Sequence, residues 1–297
     1  MNQINTISII CICDNHYAIL MAALIKSVEQ NHVSEENLEF FIIEDNISQK
    51  NKERINKCIS KEQNQIHWLK MSDCIPDGYK LPVDKSSLPL NIYIRLFIPI
   101  FINQERINKI LFLDVDMIML EDVSKLWNVD LGDNIVAAVQ DQFIKIVSRW
   151  GGLANYEQLG LDSETKYFNA GLMLIDLNKW RQEKITDKVI SAITDYKEHA
   201  LFQDQYGLNV ALANKWLVLD PLWNRFAYSE EEKPYLIHFT GRKPIYKTYE
   251  FSQHYRSLFY HYLKQTDWKN FKPISETHRY LKKASNFVEK FLNMLKQ

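Results

Sequence analysis

Short apolar runs alternate with amphipathic segments along the first half of the chain. The runs predict strands, because each is almost continuously apolar and too short for a buried helix. They lie at 7–12, 38–43, 66–71, 110–113 and 135–139. Between the runs, 17–28 has apolar residues at helical spacing, and helices are also predicted at 49–59 and at 92–102 despite Pro99.

This alternation predicts an α/β fold of the Rossmann-like type, with a mostly parallel sheet covered on both faces. Residues 72–90 contain three prolines and are expected to form a long irregular connection. The alternation of strands and helices is lost again beyond 217, where irregular structure is expected. Residues 246–262 are expected to be partly helical. The predicted division is a catalytic domain at 1–245 and a helical segment at 246–297.

The composition excludes several classes of protein. The 297 residues are 46% hydrophobic and 25% charged, which is ordinary for a globular chain. The net charge of −1 gives no sign of nucleic acid binding. No apolar run approaches 18 residues, so we expect no transmembrane helix and, from the first residues, no signal peptide. The four cysteines lack zinc or Cys-x-x-Cys spacing; Cys11 and Cys13 are expected to be packed thiols of a cytoplasmic protein.

Two acids, Asp114 and Asp116, follow directly on the predicted strand at 110–113. Carboxylates at the carboxyl end of such a strand point into the crevice where open α/β sheets bind ligands. Two of them can share one divalent cation, which could in turn hold a diphosphate. The alternative is that both acids are solvated in a polar turn.

The chain has only eight glycines, with neither Gly-x-Gly-x-x-Gly nor Gly-Lys-Ser/Thr among them. A nucleotide bound by this fold would therefore need another way to neutralise its phosphates. A metal ion held by Asp114 and Asp116 would supply one, which favours the metal interpretation.

Four further segments accompany the Asp-x-Asp, at 13–17, 169–171, 203–205 and 238–244. In this order and at these separations they resemble glycosyltransferase family 8, which includes bacterial lipooligosaccharide galactosyl- and glucosyltransferases and glycogenin. The resemblance runs from the first strand to about residue 245. It implies a GT-A fold, UDP-galactose or UDP-glucose as the sugar donor, and transfer with retention to a glycan acceptor such as a lipooligosaccharide.

The resemblance also implies a metal ion held by Asp114, Asp116 and His238. Hard carboxylate oxygens and one imidazole nitrogen suit Mn²⁺ better than Ca²⁺, with Mg²⁺ as the alternative ion. Without the resemblance, His238 would be read as a core histidine that bonds to the backbone.

By the same resemblance, twelve residues are expected to contact the sugar donor: Asp14, Tyr17, Arg95, Asp114, Val115, Asp116, Asn169, Ala170, Asp204, Gln205, Gly241 and Lys243. Asp14 would accept from uracil or cap the helix that follows, or both. Arg95 would contact the donor or form a structural salt bridge. The chain has one residue fewer than the family usually has between Gly241 and Lys243, so Arg242 would share the phosphate contact.

Gln205 and Asp204 are the predicted catalytic residues. Gln205 matches the family position beneath the reacting anomeric carbon, but an amide is a poor nucleophile. It would steady an oxocarbenium-like state, whereas Asp204 is the candidate carboxylate for a double displacement. The sequence leaves both mechanisms open.

Two segments have two interpretations each. Residues 141–166 form either a flap that closes over the donor or a plain surface connection. Residues 266–297 carry seven basic and three acidic residues, which suits either a docked helix or an amphipathic surface for the inner face of an anionic membrane.

Two other functions were weighed. A phosphohydrolase with an aspartate nucleophile usually has Thr where this chain has Ile118, which argues against that class. A non-catalytic UDP-sugar-binding protein on the same fold is the remaining alternative.

Overall fold

The computed structural model describes residues 6–79, 90–102, 104–231 and 233–277, with isolated positions beyond. Ten strands occur in this part of the chain: β1 (Thr6–Asp14), β2 (Asn37–Asp45), β3 (Gln65–Lys70), β4 (Lys109–Leu113), β5 (Met117–Met119), β6 (Val136–Gln140), β7 (Phe168–Asp176), β8 (Trp216–Val218), β9 (Arg225–Phe226) and β10 (Leu236–His238). Its α-helices are α1 (Ala18–Asn31), α2 (Gln49–Asn56), α3 (Ile98–Phe101), α4 (Val123–Trp127), α5 (Leu177–Gln182), α6 (Ile185–Asp195), α7 (Gln203–Ala211) and α8 (Gln253–Leu263).

The central sheet has seven strands in the order β3-β2-β1-β4-β7-β6-β8. Strand β7 runs antiparallel to both of its neighbours, and the other neighbouring pairs are parallel. The predicted α/β class and parallel-rich sheet are therefore confirmed. A second sheet, β5-β10-β9, pairs β10 antiparallel with β5 and parallel with β9.

The two faces of the central sheet bury separate hydrophobic cores. Successive side chains of a strand point to opposite faces, so Leu111 and Leu113 join one core while Ile110 and Phe112 join the other. Helices α1 and α8 cover the first face, and α5, α6 and α7 cover the second. This double covering explains why the strands are continuously apolar. Cys11 and Cys13 are buried in the first core, as predicted.

The strand directions bring several chain segments to one edge of the sheet. Strands β1, β4 and β6 all end at this edge, and the antiparallel β7 begins there. Leu113 pairs with Leu172, and the amide of Asp114 donates to the carbonyl of Gly171 at 2.8 Å. The polar segments that follow β4 and open β7 are therefore neighbours in space.

Three details differ from the sequence prediction. The helix predicted at 92–102 is a 3₁₀ helix, Leu90–Phe97, followed by the single turn of α3. Pro99 explains the break, because proline has no amide hydrogen and is tolerated only in the first turn of an α-helix. The helix predicted at 49–59 ends at Asn56. The short strands β5, β9 and β10 were not predicted, and residues 80–89 of the expected irregular connection lie outside the described residues.

Helix α8 and the residues after it pack onto the first face. Tyr255 and Phe259 are buried in that core, and the guanidinium of Arg54 stacks 3.7 Å from the ring centroid of buried Trp268. The domain division at residue 245 stays a prediction. Most of the predicted membrane-binding segment beyond 277 lies outside the described residues. Among the helices described, none is long and apolar enough to cross a membrane.

Candidate active site

A cavity of about 670 Å³ opens at the edge where β4 and β6 end and β7 begins. Several predicted site residues line it: Arg95, Asp114, Asn169, Ala170, Asp204 and Gln205. Such a volume suits a ligand of the size of a nucleotide sugar. Residues from the 3₁₀ helix at 90–97, from β4, from β7 and from the start of α7 thus meet at one place, although up to 110 positions separate Arg95 from Gln205.

Asp114, Asp116 and His238 form a compact group of potential metal ligands. One ligand atom from each lies within 4.8 Å of the others. His238 Nε2 lies 3.3 Å from Asp116 Oδ1 and 3.8 Å from Asp114 Oδ2. The small sheet explains this proximity, because His238 pairs with Met117 and the Phe239 amide donates to the Asp116 carbonyl. Two carboxylates and one imidazole fit a divalent cation that accepts both oxygen and nitrogen ligands.

A chain of amide side chains connects His238 to the other end of the cavity. His238 Nδ1 lies 2.9 Å from Asn224 Oδ1, and Asn224 Nδ2 donates to Asn169 Oδ1 at 2.9 Å. Asn169 Nδ2 in turn lies 3.1 Å from Gln205 Oε1 and 3.2 Å from Asp141 Oδ2. A neutral His238 that donates Nδ1–H to Asn224 would carry its lone pair on Nε2, on the side of the two aspartates.

Arg95 lies beneath the acids and engages two of them. Its guanidinium contacts Asp114 Oδ1 at 3.0 Å and Asp204 Oδ2 at 3.1 Å, and it donates to the Ala170 carbonyl at 2.8 Å. The guanidinium also lies over the ring of Phe112, 4.5 Å from its centroid. The structure therefore contains the salt bridge that was one interpretation of Arg95, and contact with a sugar donor stays a prediction.

Burial and charge act differently on the three acids. Burial raises the pKa of Asp204 to about 6, and nearby Asp114 adds to the rise while Arg95 opposes it. Burial likewise raises the pKa of Asp114. Burial also opposes the charged form of Asp116, but Lys243 and His238 outweigh it and hold the pKa of Asp116 below its ordinary value. Asp116 is therefore the acid most firmly ionised at neutral pH.

Lys243 and Arg242 point to different partners. Lys243 Nζ contacts Asp116 Oδ2 and donates to the Phe239 carbonyl at 2.9 Å. Arg242 instead forms ion pairs with Glu250 at 2.8 Å and Glu276 at 3.1 Å. Of these two cations, Lys243 is the one whose charge lies next to an aspartate, and sharing of a phosphate contact with Arg242 stays a prediction.

Three of the remaining predicted residues are not among those that line the cavity. Asp14 ends β1 and accepts from the amide of Tyr17 at 2.9 Å, which stabilises the turn before α1. The helix itself begins at Ala18 with Tyr17 as its N-cap and has no side-chain cap, so the expected helix cap by Asp14 is not formed. Val115 lies between the two aspartates and is half-buried. Gly241 has a φ of +72°, and a Cβ there would lie 2.7 Å from the hydroxyl of Tyr228. Only glycine adopts that conformation in that space without strain.

Sequence reasoning missed Asn224, Asp141 and Gly171. Asp141 follows β6 at the same edge, so the rule that selected Asp114 could have found it. A Cβ on Gly171 would lie 2.5 Å from His238 Cε1 and 2.9 Å from Asp114 Oδ2, so this glycine leaves room for the ligand group. For Asn224 no sequence signal exists, since its role depends on the pairing of β9 with β10.

The segment 141–166 is internally bonded and borders the cavity. Asp141 Oδ1 accepts from the amides of Phe143 and Ile144, both at 2.9 Å. An antiparallel bridge joins Ile146 to Lys166 and closes the segment at its base. Whether the segment moves as a flap stays a prediction.

Known proteins resemble this chain over most of its length. General stress protein A of Bacillus subtilis is 28% identical over 288 residues, which cover 90% of this chain and 96% of that protein. The lipopolysaccharide 1,2-glucosyltransferase of Escherichia coli is 28% identical over 289 residues, 88% of this chain and 77% of the enzyme. Other bacterial relatives are longer, and the chain spans 65%, 34% and 58% of three of them.

Among solved structures, the galactosyltransferase LgtC in complex with donor and acceptor sugar analogues superposes with a TM-score of 0.71. The two sequences are 23% identical, and the match covers 88% of this chain and 96% of LgtC. At that identity the likeness shows the GT-A fold. The profile of glycosyl transferase family 8 matches residues 8–245, which is most of the chain. The chain therefore belongs to glycosyl transferase family 8 and is a glycosyltransferase with the GT-A fold.

Proposed function

We propose that the protein is a metal-dependent, retaining hexosyltransferase that uses UDP-galactose or UDP-glucose. The acceptor would be a cell-surface glycan of the lipooligosaccharide or lipopolysaccharide type. The observation that carries the proposal is the convergence of Asp114, Asp116 and His238, within 4.8 Å of one another, beside a cavity lined by Asn169, Asp204 and Gln205. A diphosphate linked to a sugar is a donor that would use both halves of such a site.

The metal side of the site would bind the diphosphate. Asp114, Asp116 and His238 would hold Mn²⁺, or Mg²⁺ as the alternative, which when bound would neutralise charge on the departing UDP. Lys243 is the flexible cation next to Asp116 and would exchange this carboxylate for a phosphate oxygen. Arg95 would keep Asp114 in position from below.

The sugar side would hold the hexose by directed hydrogen bonds. Asn169 and Asp204 would contact its hydroxyls, since short polar side chains donate or accept in a fixed direction. Gln205 Oε1 accepts from the Ala170 amide at 3.0 Å and from Asn169, which fixes the orientation of the amide plane. Gln205 would then steady the developing positive charge of the sugar. We favour this role over nucleophilic attack by Asp204, because Asp204 is already engaged by Arg95.

Release of UDP from a panel of UDP-sugars, with Mn²⁺ or with a chelator, tests the proposal. We expect Mn²⁺-dependent release from UDP-galactose or UDP-glucose. Asp116→Asn should lower that rate about 10²- to 10³-fold, because one charged ligand of the metal is lost. Asp133→Asn is the matched control, since Asp133 is exposed and remote from the site.

Two results would contradict the proposal. Equal rates for Asp116→Asn and the wild type would contradict the assignment of Asp116 as a metal ligand. Tight binding of UDP with Mn²⁺ by calorimetry, without release from any sugar in the presence of acceptor glycans, would instead support a non-catalytic UDP-sugar-binding protein.

A further inference from the structure

The mouth of the cavity has an unusual surface, made of exposed aromatic side chains. Trp150 is 85% exposed, Phe143 64% and Tyr228 42%, and all three line the cavity together with Phe202. Large aromatic side chains that remain in water around a cavity mark a ligand-binding surface more often than a structural one. The proposed role of Asn169, Asp204 and Gln205 in donor binding leaves this surface without a function.

The turn that carries Trp150 packs closely against the wall of the cavity. Gly151 has a φ of +85°, and a Cβ on it would lie 2.9 Å from Phe202 Cε2 and 3.0 Å from Ile144 Cδ1. A Cβ on Gly152 would lie 2.3 Å from the carbonyl oxygen of Val147. The two glycines therefore let the backbone press against the cavity wall, and the amide of Gly152 closes the turn by donating to the Arg149 carbonyl at 2.8 Å. This closely packed turn leaves Trp150 exposed at the mouth of the cavity.

A second aromatic group leads from the metal side to the same mouth. Phe226 lies edge-on to His238, with ring centroids 5.6 Å apart. Phe143 contacts Phe226 at 5.7 Å and Tyr228 at 5.1 Å. The aromatic surface is thus continuous with the site, which suits a sugar ring held on the path to the reaction centre.

Arg149 adds a charge to this surface. The other charged residues that line the cavity are all engaged: Arg95 pairs with Asp114 and Asp204, and Asp141 accepts two backbone amides and Asn169. Arg149 forms no ion pair with any residue that the structure describes. An arginine beside an aromatic surface can form paired hydrogen bonds with a carboxylate or a phosphate.

We propose that Arg149 and Trp150 form an acceptor subsite that selects a sugar bearing an anionic group. The sugar ring would stack on Trp150, and its carboxylate or phosphate would pair with Arg149. The inference rests on the proposed hexosyltransferase function and adds the chemical class of the acceptor. It assigns a role in acceptor choice to the segment 141–166.

Matched ligands test this subsite on the protein with Mn²⁺ and UDP bound. The probes are methyl galactoside, methyl galacturonide and galactose 6-phosphate, with the three gluco counterparts, and their dissociation constants are measured by ligand-observed NMR. We expect the acidic ligands to bind about tenfold or more tightly than the neutral ones. The acidic ligand that binds more tightly, the carboxylate or the phosphate, identifies the anionic group that the subsite selects.

Two variants separate the charge from the stacking. Arg149→Gln should abolish the preference for acidic ligands and leave the binding of neutral ligands unchanged. Lys145→Gln is the matched control, because Lys145 is an exposed cation of the same segment that does not line the cavity. This control variant should keep the preference. Trp150→Ala should weaken the binding of acidic and neutral ligands alike. Because Trp150 is 85% exposed, the substitution should not unfold the protein. The KM for the UDP-sugar in acceptor-free hydrolysis should not change in either variant.

Three outcomes would overturn the subsite. They are an absence of acidic preference in the wild type, a preference that survives Arg149→Gln, and a higher KM for the UDP-sugar in Arg149→Gln, which would assign Arg149 to the diphosphate. Mn²⁺-dependent hydrolysis of the UDP-sugar, measured on the same protein preparations without UDP, reports on the proposed function separately, so failure of the subsite and failure of the transferase assignment are distinguishable.

Discussion

Asn224 illustrates how a neutral side chain can control a charged site. It is fully buried, accepts from His238 Nδ1 and donates to Asn169. Groups that orient a metal-binding histidine usually affect metal affinity by one to two orders of magnitude. If His238 is a metal ligand, Asn224 is its positioning residue, because it fixes both the ring orientation and the tautomer.

We therefore expect Asn224→Ala to weaken Mn²⁺ binding about 10- to 100-fold. Asn224→Asp should retain more of the affinity, because a carboxylate still accepts from His238 Nδ1 although it cannot donate to Asn169. Titration of free Mn²⁺ by electron paramagnetic resonance measures the affinity without any turnover. Equal affinities for all three proteins, with native circular dichroism, would contradict the role of Asn224.

At the residue scale, the sequence predicts only part of this site. Asp114 and Asp116 can be found from their position after an apolar strand, and Asp141 could have been found in the same way. His238 can be assigned only by resemblance to a family, since the three-residue strand that carries it has no visible periodicity. Asn224 cannot be predicted, because its partners are 14 and 55 positions away and meet it only after the small sheet has formed.

At the scale of single elements, Asp122 connects two helices that the sequence does not relate. It caps α4 by accepting from the amide of Ser124 at 2.9 Å. It also accepts from the amides of Val33 and Ser34 at 3.0 Å, and from His32 Nδ1 at 2.9 Å, all just beyond the end of α1. Burial opposes its charge, but these donors together hold the pKa of Asp122 below its ordinary value of 3.8.

We expect Asp122→Asn to lower the free energy of unfolding by about 3 kcal/mol at pH 7, because an amide NH₂ would face donors that need an acceptor. A carboxylate with a lowered pKa stabilises the fold above its unfolded pKa and loses this effect as the pH falls through the folded value. The difference between the variant and the wild type should therefore stay constant from pH 7 to about 4 and shrink only below.

Urea unfolding at several pH values, with Asp133→Asn as an exposed control, measures both quantities. A constant difference down to the lowest pH at which the protein folds would mean that the charge of Asp122 is not the cause.

The elements themselves were predicted with uneven success, for physical reasons. Runs of four or more apolar residues were recognised as strands because burial on both faces leaves a continuous signal. Strand β7 was not among the predicted strands, and its antiparallel direction depends on long-range pairing with β4 and β6, which leaves no local signal. Strands of two or three residues, such as β9 and β10, are too short to show any period.

For the whole molecule, the alternation of strands and helices was enough to predict the α/β class, since each parallel connection requires a crossover. The placement of the C-terminal region was not predictable in the same way. Trp268 is buried under Arg54, and Ile274 pairs with Tyr246 in an isolated bridge, so the chain up to about 277 is part of the packed molecule. Any test of membrane binding must leave these residues in place.

We predict that deletion of 278–297 weakens binding to anionic vesicles without unfolding the protein. This stretch carries five basic residues and one acidic residue, interleaved with apolar ones. Each basic residue near an anionic surface contributes roughly 1 kcal/mol, so the loss should be at least about tenfold. Co-sedimentation with phosphatidylglycerol vesicles measures it, with phosphatidylcholine vesicles as the control. Equal pelleting of the full-length and shortened proteins would exclude a membrane role for this stretch.

The pairing of β5 with β10 has a consequence for protein synthesis. Asp114 and Asp116 leave the ribosome long before His238, which pairs with Met117 only when β10 is complete. A growing chain can thus form most of the central sheet, with both acids in place, before His238 is made. If these three residues hold a metal ion as proposed, the site becomes complete only when His238 and Lys243 have been added, and a chain that ends before β10 would not bind a nucleotide sugar through that ion.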